Sequence, residues 1–289
     1  MSDRSVQDKQ GYADLHTHTS ASDGTNPPAV NVRLAWEAGL AAVAVTDHDT
    51  VAGLPEAIAE GERLGITVVP GVEISTVAGG QDIHVLGYYM DFHNPLFVER
   101  LGELRRTRDI RNEMMVARLN ELGMNITMEE ILSNVNKEDP DETVGRPHIA
   151  DLLVKKGYAA TMQEAFDRYL GKNGAAYVNP PRITPADAVR WIHEAGGCAV
   201  LAHPGLYQMD ELVEEMVQGG FDGIEVYHSD HRPEDSAKYR MLAERYDLIQ
   251  TGGSDYHGER NGVVFHAALG SSKVTIEAVT QLQNTRKHS

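Results

Sequence analysis

The 289-residue chain has a single cysteine, Cys198. It can form no intrachain disulfide and build no thiolate zinc site, and a lone thiol fits a reducing compartment. Positive charge is also scarce. Against 43 Asp and Glu there are 26 Lys and Arg, for a net charge of −17. That balance excludes broad, nonspecific binding to a long nucleic-acid backbone. It does not exclude a small phosphorylated substrate, because bound cations invert the local field. Long apolar runs are missing too. No stretch approaches the roughly 18 residues of a membrane span, and Met1–Gln10 is polar, without the apolar core of a signal peptide. A cytoplasmic protein without a membrane partner is expected. Hydrophobic residues make up 41%, enough for one large domain or two smaller ones.

What is present in excess is histidine, thirteen in all. The sequence Asp14-Leu15-His16-Thr17-His18 places two of them at i and i+2 after an apolar lead-in. Residues two apart on a strand share a face, so both imidazoles can aim at one point. Asp23 follows five residues later. Two imidazoles and a carboxylate suit a zinc, manganese or iron site.

The rest of the chain alternates. Pro27-Pro28 starts a helix to Ala38, and Leu40–Thr46 is a short apolar run of the buried parallel-strand type. A helix over Val51–Leu64 follows. Ile66–Val69 reads as a strand that runs through Pro70-Gly71 into Val72–Ser75, and Ile83–Tyr89 as a further strand. From Asn94 to Pro181 only helical patterning is found, including a capping-box start at Thr127 and a helix from Arg146. The alternation resumes with a helix from Thr184, strands at Cys198–Ala202, Ile224–Tyr227 and Leu248–Thr251, and a closing helix over Thr275–Gln283. The reading is an α/β domain over 1–93 and 182–289, with an all-helical insertion over 94–181.

Ligand-type residues lie in or just after nearly every strand: His16 and His18, Asp47 and His48, Glu73, His84, His203, Glu225 and His228, Asp255 and His257. A closed α/β barrel gathers its strand C-termini at one face. Such a set suits a multinuclear site of manganese, zinc, iron or magnesium-like ions.

The segments HTHTSASDG (16–24), TDHDT (46–50), GVEIS (71–75), AHPG (202–205) and GSDYH (253–257) together resemble the polymerase-and-histidinol-phosphatase (PHP) family of metal-dependent phosphoesterases. The resemblance covers roughly residues 11–93 and 182–270. It implies a distorted (β/α)7 TIM-like barrel and two or three divalent ions. His16, His18, Glu73 and Asp255 would hold one ion. Glu73, His84 and His203 would hold a second, with Glu73 as bridge, and Asp23, His48 and His257 a third. Many members have His where this chain has Asp23, so Asp23 is expected either at a third metal or as a general acid. The insertion resembles that of nucleotide-directed members. Arg146 is expected to grip phosphate, His148 and Lys172 to add donors, and His228 to touch substrate. The Arg-rich helix from Phe97 intersperses acids and reads as a solvated face.

The expected activity is hydrolysis of a phosphate monoester of a small nucleotide, a nucleoside monophosphate or 3′,5′-bisphosphate, as the resemblance suggests. The competing readings are a 5′-to-3′ exonuclease on short RNA or DNA ends, a histidinol-phosphate phosphatase, and a non-catalytic metal-bound interaction module.

Overall fold

The computed structural model describes residues 11–135, 141–260, 262–264 and 266–285. The expectation for Met1–Gln10 lies outside them. The strands are β1 (Tyr12–Asp14), β2 (Ala42–Val45), β3 (Thr67–Ala78), β4 (Gln81–Tyr88), β5 (Cys198–Leu201), β6 (Gly223–His228) and β7 (Ile249–Gly253). They lie in chain order in one sheet. β1–β2–β3 and β5–β6–β7 are parallel, while β4 runs antiparallel to both its neighbours. Beyond their ends, β1 and β7 meet. Leu15 N donates to Gly252 O (3.1 Å), Asp255 N to His16 O (2.9 Å) and His18 N to Tyr256 O (2.8 Å). The barrel is thus closed on the side that carries His16 and His18.

Alternation along the strands explains why β2 and β5 read as continuous apolar runs. Val43 and Val45 pack outward against the helices, and Ala42 and Ala44 point into the barrel. On β5, Ala199 and Leu201 go outward while Cys198 and Val200 go inward. Both faces are covered, so neither can be polar. Small inward residues suit the narrow lumen.

The sequence suggested a strand running through Pro70-Gly71, and β3 is continuous there. It changes partner at that point, pairing with β2 up to Pro70 and with β4 from Gly71. A proline lacking its N–H is tolerated where no ladder donor is needed.

The outer helices are α1 (Pro28–Glu37), α2 (Leu54–Leu64), α7 (Pro185–Glu194), α8 (Asp210–Val217) and α9 (Pro233–Tyr246). Between β4 and α7 lie α3 (Pro95–Glu121), α4 (Met128–Asn134), α5 (Arg146–Lys155) and α6 (Met162–Ala165), the last continuing as a π-helical turn over Phe166–Leu170. Thr127 and Glu130 cap α4 reciprocally. These helices share a core of their own, built from Met115, Leu119, Ile131, Ile149, Leu153 and Leu170 among others. The start of α3 differs, since its Phe97, Leu101 and Leu104 pack into the barrel's core. One 27-residue helix therefore spans both cores.

Two short features departed from the sequence reading. Val274–Thr275 form β10, antiparallel to β1, before helix α10 (Ile276–Thr285) begins. Glu259–Arg260 and Val263–Val264 pair antiparallel as β8 and β9. Among the described residues, no helix is long and apolar enough to cross a membrane.

Candidate metal centre

The two oxygens of Glu73, on β3, face different imidazoles. Oε2 lies 3.5 Å from His16 Nε2, 3.2 Å from His18 Nε2 and 2.9 Å from His48 Nδ1. Oε1 lies 2.7 Å from His84 Nδ1 and 3.1 Å from His203 Nε2. This is the placement of a carboxylate that can bridge two cations. Asp255 approaches from beyond β7, with Oδ1 3.4 Å from His16 Nε2 and 3.1 Å from His18 Nε2.

A third group lies alongside. Asp23 Oδ1 is 3.2 Å from His257 Nε2, and Oδ2 is 3.7 Å from His48 Nε2. His48 therefore stands between the groups, one ring nitrogen toward Glu73 and the other toward Asp23. Within each of several trios and quartets, including His18–Asp23–His48–His257 and His16–His18–Glu73, the donor atoms lie within 4.8 Å of one another.

The donors are oriented from behind. Glu225, on β6, accepts at 3.1 Å from His16 Nδ1 and at 2.8 Å from the His203 amide. The Asp255 carbonyl accepts from His257 Nδ1 at 2.8 Å. Such contacts fix which ring nitrogen points at an ion. Thr17, between the two histidines, turns away and donates to the Ala44 carbonyl at 2.6 Å. Asp49 (φ 55°), His203 (φ 24°) and Asp255 (φ 53°) adopt left-handed backbone conformations. Strain of this kind gathers where surrounding structure imposes geometry on a site.

The donor set fits metal ions. His16 Nε2, His18 Nε2 and Asp255 Oδ1 are buried and make no hydrogen bond of proper geometry. Buried polar atoms are rarely left so, and here all three converge on one point. The electrostatics agree. Burial alone would lower His16 and His18, but Glu225, Asp255 and Glu73 around His16 reverse this and hold it well above its ordinary value. Asp255 and Glu73 likewise push His18 up to about 10. The carboxylates thus demand positive charge at this point, whether from protons or from cations. By contrast, burial lowers both His48 and His203 to about 4, leaving neutral imidazoles ready to coordinate. Burial would raise Asp23, yet His48 and His257 hold it well below the ordinary carboxylate range. It is a carboxylate, which suits a ligand better than a proton donor.

Beside these groups lies a cavity of about 330 Å³ whose other wall is cationic, formed by Arg108, Arg111, Arg146 and Arg182. Arg146 and Arg182 share the carboxylate of Asp82, Arg146 at 3.0 Å. Arg108 pairs with Asp49 at 2.8 Å and donates to Ser75 Oγ at 2.5 Å. Arg111 is buried, at 4% exposure, and among the described residues its side chain has only a 3.3 Å bond to Asn112 Oδ1. Burial and the neighbouring arginines push Arg111 well below the ordinary guanidinium value. Arg146 and Arg182 at Asp82, with Arg111 and Arg108 beside them in the same cavity, make a wall that calls for an anion.

The PHP domain profile matches residues 14–173, more than half of the chain. The chain belongs to the PHP family. Its relatives include the 5′-3′ exoribonuclease Rnm of Salmonella typhimurium, 36% identical with 84% of each chain covered. The 3′,5′-nucleoside bisphosphate phosphatase of Chromobacterium violaceum is 34% identical over 86% of this chain and 88% of its own. A crystal structure described as a proposed metal-dependent phosphoesterase, from Bifidobacterium adolescentis, superposes with a TM-score of 0.87 at 34% identity over 96% of each chain. The protein is a metal-dependent phosphoesterase on a PHP barrel.

On this barrel the nine residues expected as ligands, His16, His18, Asp23, His48, Glu73, His84, His203, Asp255 and His257, come together. Arg146 lines the cavity beside them. The other expected substrate residues stand elsewhere. His148 Nδ1 accepts from the Gly145 amide at 3.0 Å at the start of its own helix. Lys172 is exposed, and neither it nor His148 lines the cavity. His228 is buried behind Asp255, its Nε2 3.3 Å from Oδ2.

The Arg-rich helix corrects the sequence reading. Phe97, Leu101, Leu104, Arg108, Arg111 and Met115 form one buried stripe of α3. Two arginines occupying positions on an apolar stripe were the available signal that this face is not solvated. His266, unassigned from sequence, also lines the cavity and sits 3.5 Å from Asp255 Oδ2. Its position off the strand ends gave no signal.

Proposed function

We propose that the protein hydrolyses a phosphate monoester of a small nucleotide, with a second phosphate of the same substrate held by the arginines. The observation that carries this reading is the pairing of two opposed clusters in one cavity. The imidazoles and carboxylates on one wall suit cations at the scissile phosphate. The guanidinium groups on the other exceed what one phosphoryl group needs. A nucleoside 3′,5′-bisphosphate offers both charges, and the substrate named for the Chromobacterium relative supports this choice.

His16, His18, Glu73 and Asp255 would hold one ion, Glu73, His84 and His203 a second, and Asp23, His48 and His257 a third. The mixed nitrogen and oxygen donors, without thiolate, suit manganese, zinc or iron. Such ions supply Lewis acidity at the phosphoryl oxygens and lower the pKa of a bound water. Glu225 and the Asp255 carbonyl orient His16 and His257. Arg146 and Arg111 bind and orient the second phosphate, placing the ester at the metal-side wall. Cys198 takes no part, being buried in the barrel core.

A second reading, exonucleolytic cleavage of short 5′-phosphorylated RNA, uses the same fragment with its 3′-phosphate esterified. The name of the Salmonella relative supports it. The test is phosphate release from nucleoside 3′,5′-bisphosphate and from the matching 5′-monophosphate, with manganese supplied. Faster turnover of the bisphosphate is expected. Equal rates, or none on either, would contradict the proposal.

A further inference from the structure

The imidazoles of the centre are not all held in the same way. The second ring nitrogen of His16 meets Glu225, and that of His257 meets the Asp255 carbonyl. His203 lacks such a hold. Its Nε2 faces Glu73 Oε1 at 3.1 Å, while its Nδ1 is buried and, among the described residues, has no hydrogen-bond partner. A ligating imidazole is ordinarily oriented through the nitrogen that points away from the ion. The aim of His203 must therefore come from its backbone. That backbone is strained, with φ 24° and ψ 58°, short even of the usual left-handed region. Such a conformation persists only where the surroundings impose it.

Two contacts from the β6 side hold it. The His203 amide donates to Glu225 Oε2 at 2.8 Å. In the turn that follows, Pro204–Leu206, the Gly205 amide donates to His231 Nε2 at 3.1 Å. The other nitrogen of His231, Nδ1, lies 3.0 Å from the carbonyl of Val226, on β6. A carbonyl only accepts and an amide only donates, so one tautomer satisfies both partners: the proton sits on Nδ1, and Nε2 accepts. Burial lowers the His231 pKa and so favours this neutral ring. Tyr239, buried on α9, packs against it with ring centroids 5.6 Å apart. Gly205 admits the close approach, since a Cβ there would lie 2.7 Å from His231 Cδ2. The ring thus ties β6 to the loop after β5.

We propose that His231 is a positioning residue for the ion to be held by Glu73, His84 and His203: by accepting from the Gly205 amide, it fixes the loop that aims His203. The proposal rests on the ligand set given above. His231 does not line the cavity and acts only through the loop.

Side-chain reach separates its two contacts. Glutamine at 231 carries an oxygen to the place of Nε2 and can accept from Gly205. Asparagine ends one bond earlier, at the level of Nδ1, and can keep only the Val226 contact. Both are polar and neither titrates. The test titrates manganese into the chelator-stripped full chain, for the parent, His231→Gln and His231→Asn, and counts the ions retained after dialysis. His231→Asn should weaken one ion about 10- to 100-fold and retain one ion fewer than the parent. His231→Gln should match the parent at every ion. Melting temperatures of the stripped proteins separate affinity from stability. Loss in both variants, loss in neither, an equal loss at every ion in His231→Asn, or a lowered melting temperature with unchanged affinity would each overturn the role of His231. If the parent itself retains fewer than two ions, the ligand set fails, and the role of His231 with it.

Discussion

Single residues divide the labour at this site, and Glu73 has the largest share. Its two oxygens serve two sets of imidazoles, and burial is outweighed by His84, His48 and His16, which hold it well below the ordinary carboxylate range. Glu225 acts one layer back. Glu225→Gln should lower metal affinity about 10- to 100-fold, read by titrating metal into chelator-stripped protein. An unchanged affinity would mean that His16 needs no orienting partner. Arg108 and Asp49 form a buried pair whose pH dependence has a definite sign. Burial raises Asp49, but Arg108, with the Ser75 amide, more than reverses it, so its folded pKa lies below the ordinary 3.8. The pair's contribution is complete above that value and is lost as pH falls through the folded pKa. Arg108→Gln leaves Asp49 buried alone and should cost about 3–5 kcal/mol. Burial then dominates Asp49 and raises its pKa, so the stability gap between parent and variant should narrow on acidification. Thermal melts across the acid range distinguish the two slopes.

Among the elements, closure between β1 and β7 sets the position of His16 and His18. Gly253 makes it possible, because a Cβ there would run into the Cβ and backbone nitrogen of His16. Gly253→Ala should destabilise by about 1–3 kcal/mol through overpacking, and metal affinity should fall with it, since β1 must shift. Loss of stability with intact metal affinity would show that the ligands do not depend on this contact. The same strand explains what was legible in the sequence. The period of two placed His16 and His18 on one face, and the strand-end positions of Glu73, His203 and Asp255 signalled a shared mouth. Helix α3 was misread because its charges were weighed by count. Arg105 and Arg108 reach Asp49, at its carbonyl and its carboxylate respectively, while Arg106 remains at the surface, as expected. Only position on the stripe separates them. The β8–β9 pair was too short for periodicity to register.

At the scale of the whole molecule, the charge of −17 and the arginine wall are reconciled by location. Arg108, Arg111, Arg146 and Arg182 concentrate in one cavity. Composition argued against broad binding to long polymers but could not reveal this local field, because the four arginines come from α3, α5 and the segment before α7 and meet only in the folded chain. The barrel supplies the cation ligands, and the helices between β4 and α7 supply most of the opposing cations. Neither core alone builds both walls. Arg111 is the residue at which this account is most exposed, being buried and, among the described residues, committed to no carboxylate. The most direct measurement compares kcat/KM for a nucleoside 3′,5′-bisphosphate with that for the matching 3′-monophosphate, in the parent and in Arg111→Gln. The parent should prefer the bisphosphate by about 100-fold or more, as expected of a charge-assisted contact in a dry site. The variant should lose most of that preference while keeping its rate on the monophosphate. Equal rates on both substrates in the parent, or a preference that survives in the variant, would contradict the account.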